Sequence, residues 1–272
     1  TIGIGGAASV FYVPSSADEL AELIKYVSGA GEKLYILGAG SNVLLPDEGI
    51  KGVVLSLGGA FRRWVFDSDM VTAGASVFLQ EFIGECSRKG LSGMEGLAGI
   101  PGTIGGAVAM NAGYRSVISD HLEEILLIDV SGKLRRVGKE EIEFGYRTSS
   151  ILGNEIVLEA SFCLERKTVR EVGELVKKNL AEKAARQPLG SKTLGCVFKN
   201  PEGGVSAGKL IEDAGMKGKR SGEAVVSPVH ANFIENRGGA SSSDFRRLIE
   251  AVKRAVRNRF GIDLEEEIEI WE

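Results

Sequence analysis

Apolar residues along the chain recur with two periods, and each period predicts an element. In SADELAELIKYVSGAG, Leu20, Leu23, Ile24 and Val27 stand three or four apart, the spacing that lines one face of a helix. Ser16, with Glu19 three residues on, predicts a capping box at its start, and Gly29 and Gly31 predict its stop. On either side, SVFYV (9–13), KLYIL (33–37) and GVVLSL (52–57) read as strands, so the chain opens as a small α/β unit. VTAGASVFLQEFIGECSRKG then predicts a short strand and a helix with Leu79, Phe82, Ile83 and Cys86 on one stripe, which makes Cys86 a packing residue. Strands around EEILLIDVSG (123–132), KLRRV (133–137) and EIVLEASFCLE (155–165) complete an α+β second unit, with Cys163 packing in the last. From Thr168 a helix with Val172, Leu175, Val176 and Leu180 on its apolar face runs to Gln187 and Pro188. Residues 194–240 are rich in loop formers. A final helix from Ser243 to Phe260 turns Phe245, Leu248, Ile249, Val252 and Val256 inward, and strand-like DLEEEIEIW closes the chain.

Composition narrows the class. The chain has 272 residues, 43% hydrophobic and 26% charged, as in an ordinary globular protein with one large domain or two to three small ones. A net charge of −4 argues against a nucleic-acid partner. Arg246, Arg247, Lys253, Arg254, Arg257 and Arg259 alternate with apolar residues on the last helix and read as its solvated face. Cys86, Cys163 and Cys196 form no CxxC pair and have only His121 and His230 beside them, so no metal site and a reducing, cytoplasmic setting are expected. TIGIGGAASVFYVP shows no basic region followed by an apolar core, and its start at Thr1 reads as trimmed or incomplete. The uncharged stretch GLAGIPGTIGGAVAMNAG (96–113) has about the length of a membrane span, but its glycines and Pro101 make a poor helix. A buried glycine-rich binding loop is the expectation, with membrane insertion as the alternative.

The glycine-rich segments carry the first chemistry. Gly38, Gly40, Ser41 and Asn42 stand between two strands. Glycines there let backbone approach a ligand, and successive N–H groups in a tight loop can cradle an anion. A dinucleotide-binding GxGxxG is excluded because position 43 is Val and a strand, not a helix, follows. A P-loop is excluded because no Gly-Lys pair is followed by Ser or Thr. Two loops, 38–42 and 99–113, remain, and together they could hold an extended dinucleotide by its pyrophosphate; each alone reads equally well as a tight turn.

LGAGSNVLLPDEGIKGVVLSL, GLSGMEGLAGIPGTIGGAVAMNAG, FGYRTSSI, LGCVFKNP, AGKLIEDAGMKGKRSGEAVVSPVHANFIEN and FGIDLEEEIEI, in this order, resemble the motifs of the UDP-N-acetylenolpyruvoylglucosamine reductase family. The glycine loops by themselves would indicate only the wider vanillyl-alcohol-oxidase-like group of flavoproteins. The resemblance implies an α+β fold: a two-part FAD-binding domain of that (PCMH-type) class at 1–165, with subdomains of about 1–57 and 58–165, and a C-terminal α+β substrate-binding domain at 166–272 whose last strand returns a glutamate to the flavin. It implies FAD, non-covalent because the first loop holds no His or Cys. The pyrophosphate would lie against Gly38, Ala39, Gly40, Ser41 and Asn42, and against Pro101, Gly102, Thr103, Gly105, Gly106, Ala107, Asn111, Ala112 and Gly113. The short stretch between Arg147 and Cys196 resembles the shorter type of the family, which lacks an inserted tyrosine-bearing flap.

The family reaction implies three roles. NADPH reduces FAD, and hydride then passes to the enolpyruvyl ether of UDP-N-acetylglucosamine enolpyruvate, so protein groups must stabilise an enolate and protonate it. By resemblance, Arg147 is the catalytic cation, with Tyr146 beside it. Cys196 stands where the family usually has Ser, as proton donor. Glu267, before Ile268, is the catalytic carboxyl, with Glu265 in reserve. Gln187, Lys199, Asn200, Lys217 and Asn232 are candidates for the sugar and diphosphate, His230 for positioning the loop around Asn232, and His121 for a structural role. The expected assembly is a monomer or weak dimer with no nucleic-acid or membrane partner. Two alternatives stand beside this reading: a related FAD oxidase of a hydroxy acid or sugar alcohol, and a nucleotide-binding module that has lost catalysis.

Overall fold

The computed structural model describes residues 2–272; Thr1, the first residue of the expected FAD-binding domain, lies outside them. By compactness the chain divides into a larger unit, Val10–Ala39 with Lys51–Glu182, and a smaller one comprising the residues up to Ser9, Gly40–Ile50 and Lys183–Glu272. This division departs from the expected boundary at 165/166: residues 166–182 go with the larger unit, and two N-terminal stretches go with the C-terminal one. Backbone pairing explains the second difference. Val43–Leu44 runs parallel to Glu269–Ile270, and the Asn236 amide donates to the Ile2 carbonyl at 3.0 Å.

The larger unit is built on a five-stranded antiparallel sheet in the order Trp64–Asp67, Met70–Gly74, Glu155–Cys163, Leu122–Asp129, Leu134–Gly138. A three-stranded sheet, Ala8–Tyr12, Ile50–Leu55, Leu34–Ile36, accompanies helix α1 (Ala17–Ala30). The Ser16 hydroxyl accepts from the Glu19 N–H at 3.1 Å, but the Glu19 carboxylate takes the Ser15 N–H at 2.7 Å instead of that of Ser16, so only half of the expected capping box forms. Gly31, left-handed at φ 67°, stops the helix, and Gly29 lies inside it. Helix α2 (Leu79–Arg88) buries Leu79, Phe82, Ile83 and Cys86, the stripe read from periodicity. The uncharged 96–113 stretch is a turn followed by the short α3 (Ile104–Ala109), and among the described residues no helix is long and apolar enough to cross a membrane. Helix α4 (Val169–Ala184) buries Val172 but leaves Leu175 exposed, a narrower apolar face than the sequence suggests.

In the smaller unit a four-stranded antiparallel sheet runs Thr193–Cys196, Phe233–Asn236, Ala224–Val226, Arg220–Ser221. Helices α5 (Ala207–Asp213) and α6 (Ser242–Phe260) share its core, in which Phe198, Phe245, Ile249 and Val256 are almost wholly buried. Burial of each such side chain contributes roughly 1.5–3 kcal/mol. Four basic residues of α6 form ion pairs, Arg246 with Glu272, Arg247 with Asp244, Lys253 with Glu266 and Arg257 with Asp263.

Candidate active site

In the larger unit the two glycine-bearing loops meet. A Cβ on Gly38 would lie 3.0 Å from the Thr103 hydroxyl, so only a residue without a side chain keeps this gap open. Gly102, at φ 137°, turns the second loop into α3. A side-chain-free backbone at Gly38 facing the Thr103 hydroxyl fits the pyrophosphate of a flavin dinucleotide. The first amides of α3 take no part in such a cradle. Ile104 donates to the Val77 carbonyl, Gly105 to that of Ala75, and Gly106 to the Thr103 hydroxyl at 3.4 Å. Gly105 is set by packing, since a Cβ there would come 2.8 Å from that of Ala75. Ala107 is buried, Ala112 packs on the core of the unit and Pro101 is exposed.

Arg147 occupies the tip of a hairpin in which Phe144–Gly145 pairs with Thr148–Ser149. Its φ of 58° is left-handed, which costs a side-chain-bearing residue about 1–2 kcal/mol. The guanidinium donates to the Gly113 carbonyl at 2.6 Å and lies over the exposed Tyr146 ring, 5.2 Å from its centre. Asn111, also left-handed at φ 45°, is buried; its amide donates to the Gly145 carbonyl at 2.9 Å and accepts from the Ser119 hydroxyl at 2.8 Å. Ser149 donates to the Ala109 carbonyl at 2.6 Å. The sequence reading missed Ser119 and Ser149; the only available signal was the hydroxyl run in FGYRTSS.

The smaller unit brings Cys196 and Glu267 onto neighbouring backbones. Cys196 ends its strand half-buried after Gly195, whose φ is 85°, and the Glu267 N–H donates to the Val197 carbonyl at 2.7 Å. Asn42 clamps the same closing segment: its amide donates to the Glu267 carbonyl at 3.0 Å, and its own carbonyl accepts from Glu269 at 2.8 Å. The two other glutamates have lysine partners. Glu265 is exposed and meets Lys199 at 2.5 Å, and Glu266 meets Lys253 at 2.8 Å.

Among the expected sugar and diphosphate contacts, Asn232 is 3% exposed and its amide is engaged twice, accepting from the Phe198 N–H at 2.9 Å and donating to its carbonyl at 2.8 Å. It braces the strand end that carries Cys196. His230 supports it, its Nδ1 accepting the Asn232 N–H at 3.2 Å, and burial followed by the nearby Lys217 cation push the imidazole below its ordinary pKa. Lys217 pairs with Glu212 at 2.9 Å, the Asn200 side chain caps α5 by accepting from Ala207 at 3.0 Å, and Gln187 is half-buried just beyond α4. Of the cysteines, none is in a disulfide, and burial beside Glu95 pushes the Cys86 thiol up to about 12, which leaves it chemically inert. His121 packs under Gly93, where a Cβ would touch its ring at 2.9 Å.

Two family descriptions match this chain, an FAD binding domain over residues 8–138 and the C-terminal domain of UDP-N-acetylenolpyruvoylglucosamine reductase over 187–271. The fold and the loops therefore define an FAD-containing oxidoreductase. The UDP-N-acetylenolpyruvoylglucosamine reductase of Geobacter metallireducens is 39% identical over 99% of this chain and 90% of its own, and that of Bacillus subtilis is 38% identical over 99% and 90%. The crystal structure of the Thermus caldophilus enzyme matches with a TM-score of 0.86 at 35% identity, covering 100% of this chain and 95% of that one. The chain belongs to the UDP-N-acetylenolpyruvoylglucosamine reductase family.

Proposed function

We propose that this chain reduces UDP-N-acetylglucosamine enolpyruvate to UDP-N-acetylmuramate with NADPH as reductant, in the cytoplasmic synthesis of peptidoglycan precursors. The larger unit holds FAD through the loops at Gly38–Ala39 and Gly102–Thr103, and the smaller unit binds the UDP-sugar. When bound and reduced by NADPH, FAD would supply the hydride for the terminal carbon of the enolpyruvyl group. Arg147 sets its cation against the charge that develops on the substrate carboxylate, an interaction stronger in the transition state than in the ground state. The Cys196 thiol transfers its proton to the adjacent carbon, and Glu267 orients that end of the substrate. Lys199 and Lys217 contribute positive charge to the diphosphate subsite.

The observation that supports this reading is the backbone bond from the Glu267 N–H to the Val197 carbonyl, which ties the closing segment to the stretch that follows Cys196, in a family member aligned over almost its whole length. The test is anaerobic. Purified protein is expected to be yellow, to bleach with NADPH, and to regain colour on addition of the enolpyruvyl UDP-sugar. Recovery of colour with oxygen alone would overturn the assignment.

A further inference from the structure

Hydrogen bonds at Ala109, Asn111 and Gly113 join the glycine-rich segment to the Tyr146–Arg147 hairpin, and they alternate along it. Ala109 accepts from Ser149, Asn111 donates to Gly145, and Gly113 accepts from Arg147, at 2.6, 2.9 and 2.6 Å. Asn111, Ser119 and Ser149 are each 6% exposed, so water does not replace these partners cheaply. The Gly145 carbonyl can only accept, so it fixes which way the Asn111 amide faces, and the Ser119 hydroxyl then donates to the amide oxygen. Both Asn111 and Arg147 hold left-handed backbone, at φ 45° and 58°, which asparagine tolerates and arginine disfavours. Strain of this kind persists only where the surroundings over-determine it. The bonds to 145 and 149 flank Arg147 on both sides, and its guanidinium is anchored on the Gly113 carbonyl.

We propose that Asn111, with Ser149, is a positioning residue for Arg147: it pins the hairpin so that the guanidinium is held ready for the substrate. This rests on the role given to Arg147 above. It also gives the glycine-rich segment a second task, since its later half carries the arginine while its earlier half faces Gly38.

The test is a double-mutant cycle on the flavin-loaded enzyme. Asn111→Gly keeps the left-handed backbone comfortable and removes only the amide. It is expected to slow anaerobic reoxidation by the UDP-sugar about 10–100-fold, the scale of a roughly 1 Å misplacement. That loss should exceed any loss in reduction by NADPH at least tenfold. Combined with Arg147→Ala, it should cost no more than about twofold beyond Arg147→Ala alone, because residues acting through one another are not additive. Hydrogen exchange should rise at amides 144–149 and stay unchanged in the five-stranded sheet. Losses that multiply, or reduction and reoxidation slowed equally, would overturn the proposal. If Asn111→Gly does not fold, Ser149→Ala enters the same cycle with the same two outcomes. Wild-type reoxidation by Arg147→Ala itself would sink the arginine's role as well as this one, whereas multiplied losses beside an impaired Arg147→Ala would sink this one alone.

Discussion

At the scale of single residues, Cys196 and Cys86 show how one side chain takes opposite characters. Cys86 lies in the α2 stripe, where burial removes its acidity. Cys196 is half-buried at a strand end. A thiol gives up its proton more readily than a hydroxyl, and a serine hydroxyl can stand in the same place. Cys196→Ser is therefore expected to reoxidise within about tenfold of wild type, and Cys196→Ala to lose on the order of 10²-fold or more, the usual worth of a placed acid. Equal rates for the alanine variant would remove Cys196 from the mechanism. The role of Cys86 was legible because helical spacing states which face a residue joins. The tasks of Asn111 and Asn232 were not, because an amide named by its motif can face a ligand or its own backbone. In both residues the amide turns to a carbonyl 34 positions away, on Gly145 and on Phe198.

At the scale of elements, local signals placed the four longer helices and missed the short α3 and α5. Ser241 caps α6 by accepting from the Asp244 N–H at 3.0 Å, and Asp244 answers by accepting from the Ser241 N–H at 2.9 Å, a pairing that holds its carboxyl below the usual range. Ser241→Ala should cost about 1 kcal/mol, read as a fall of about 2–4 °C in the thermal midpoint; an unchanged midpoint would mean the cap contributes nothing. Gly261, left-handed at φ 71°, ends the same helix just after Phe260, where the sequence reading stops it. The short elements were less legible. The closing DLEEEIEIW forms only the strand Glu269–Ile270, because Val43–Leu44 offers it just two residues of parallel edge. The amides at the start of α3 read as a phosphate site, but carbonyls at Val77 and Ala75 had already taken two of them.

At the scale of the whole molecule, occupancy of the flavin site should be visible as stability. A ligand bound only by the folded state adds RT ln(1 + [L]/Kd), about 2.7 kcal/mol at a hundredfold excess over Kd. Protein stripped of FAD should thus melt several degrees lower and recover when FAD is restored. A midpoint insensitive to FAD, together with Gly38→Val protein that still binds the flavin, would contradict the cradle at Gly38 and Thr103.

Periodicity determined the longer helices and the packing cysteine of α2, and the order of the motifs, by family resemblance, supplied the class of fold and the candidate chemistry of Arg147, Cys196 and Glu267. Each of these depends on residues close in sequence or on motifs that carry their identity with them. Tertiary structure alone decided which segments share a core: that 40–50 joins the C-terminal unit, that Glu265 and Glu266 meet lysines while Glu267 lies beside Val197, and that Asn111 holds the arginine hairpin. Those pairings bridge from 13 to more than 200 positions, and contacts of such reach are chosen by how whole elements pack rather than by any pattern along the chain.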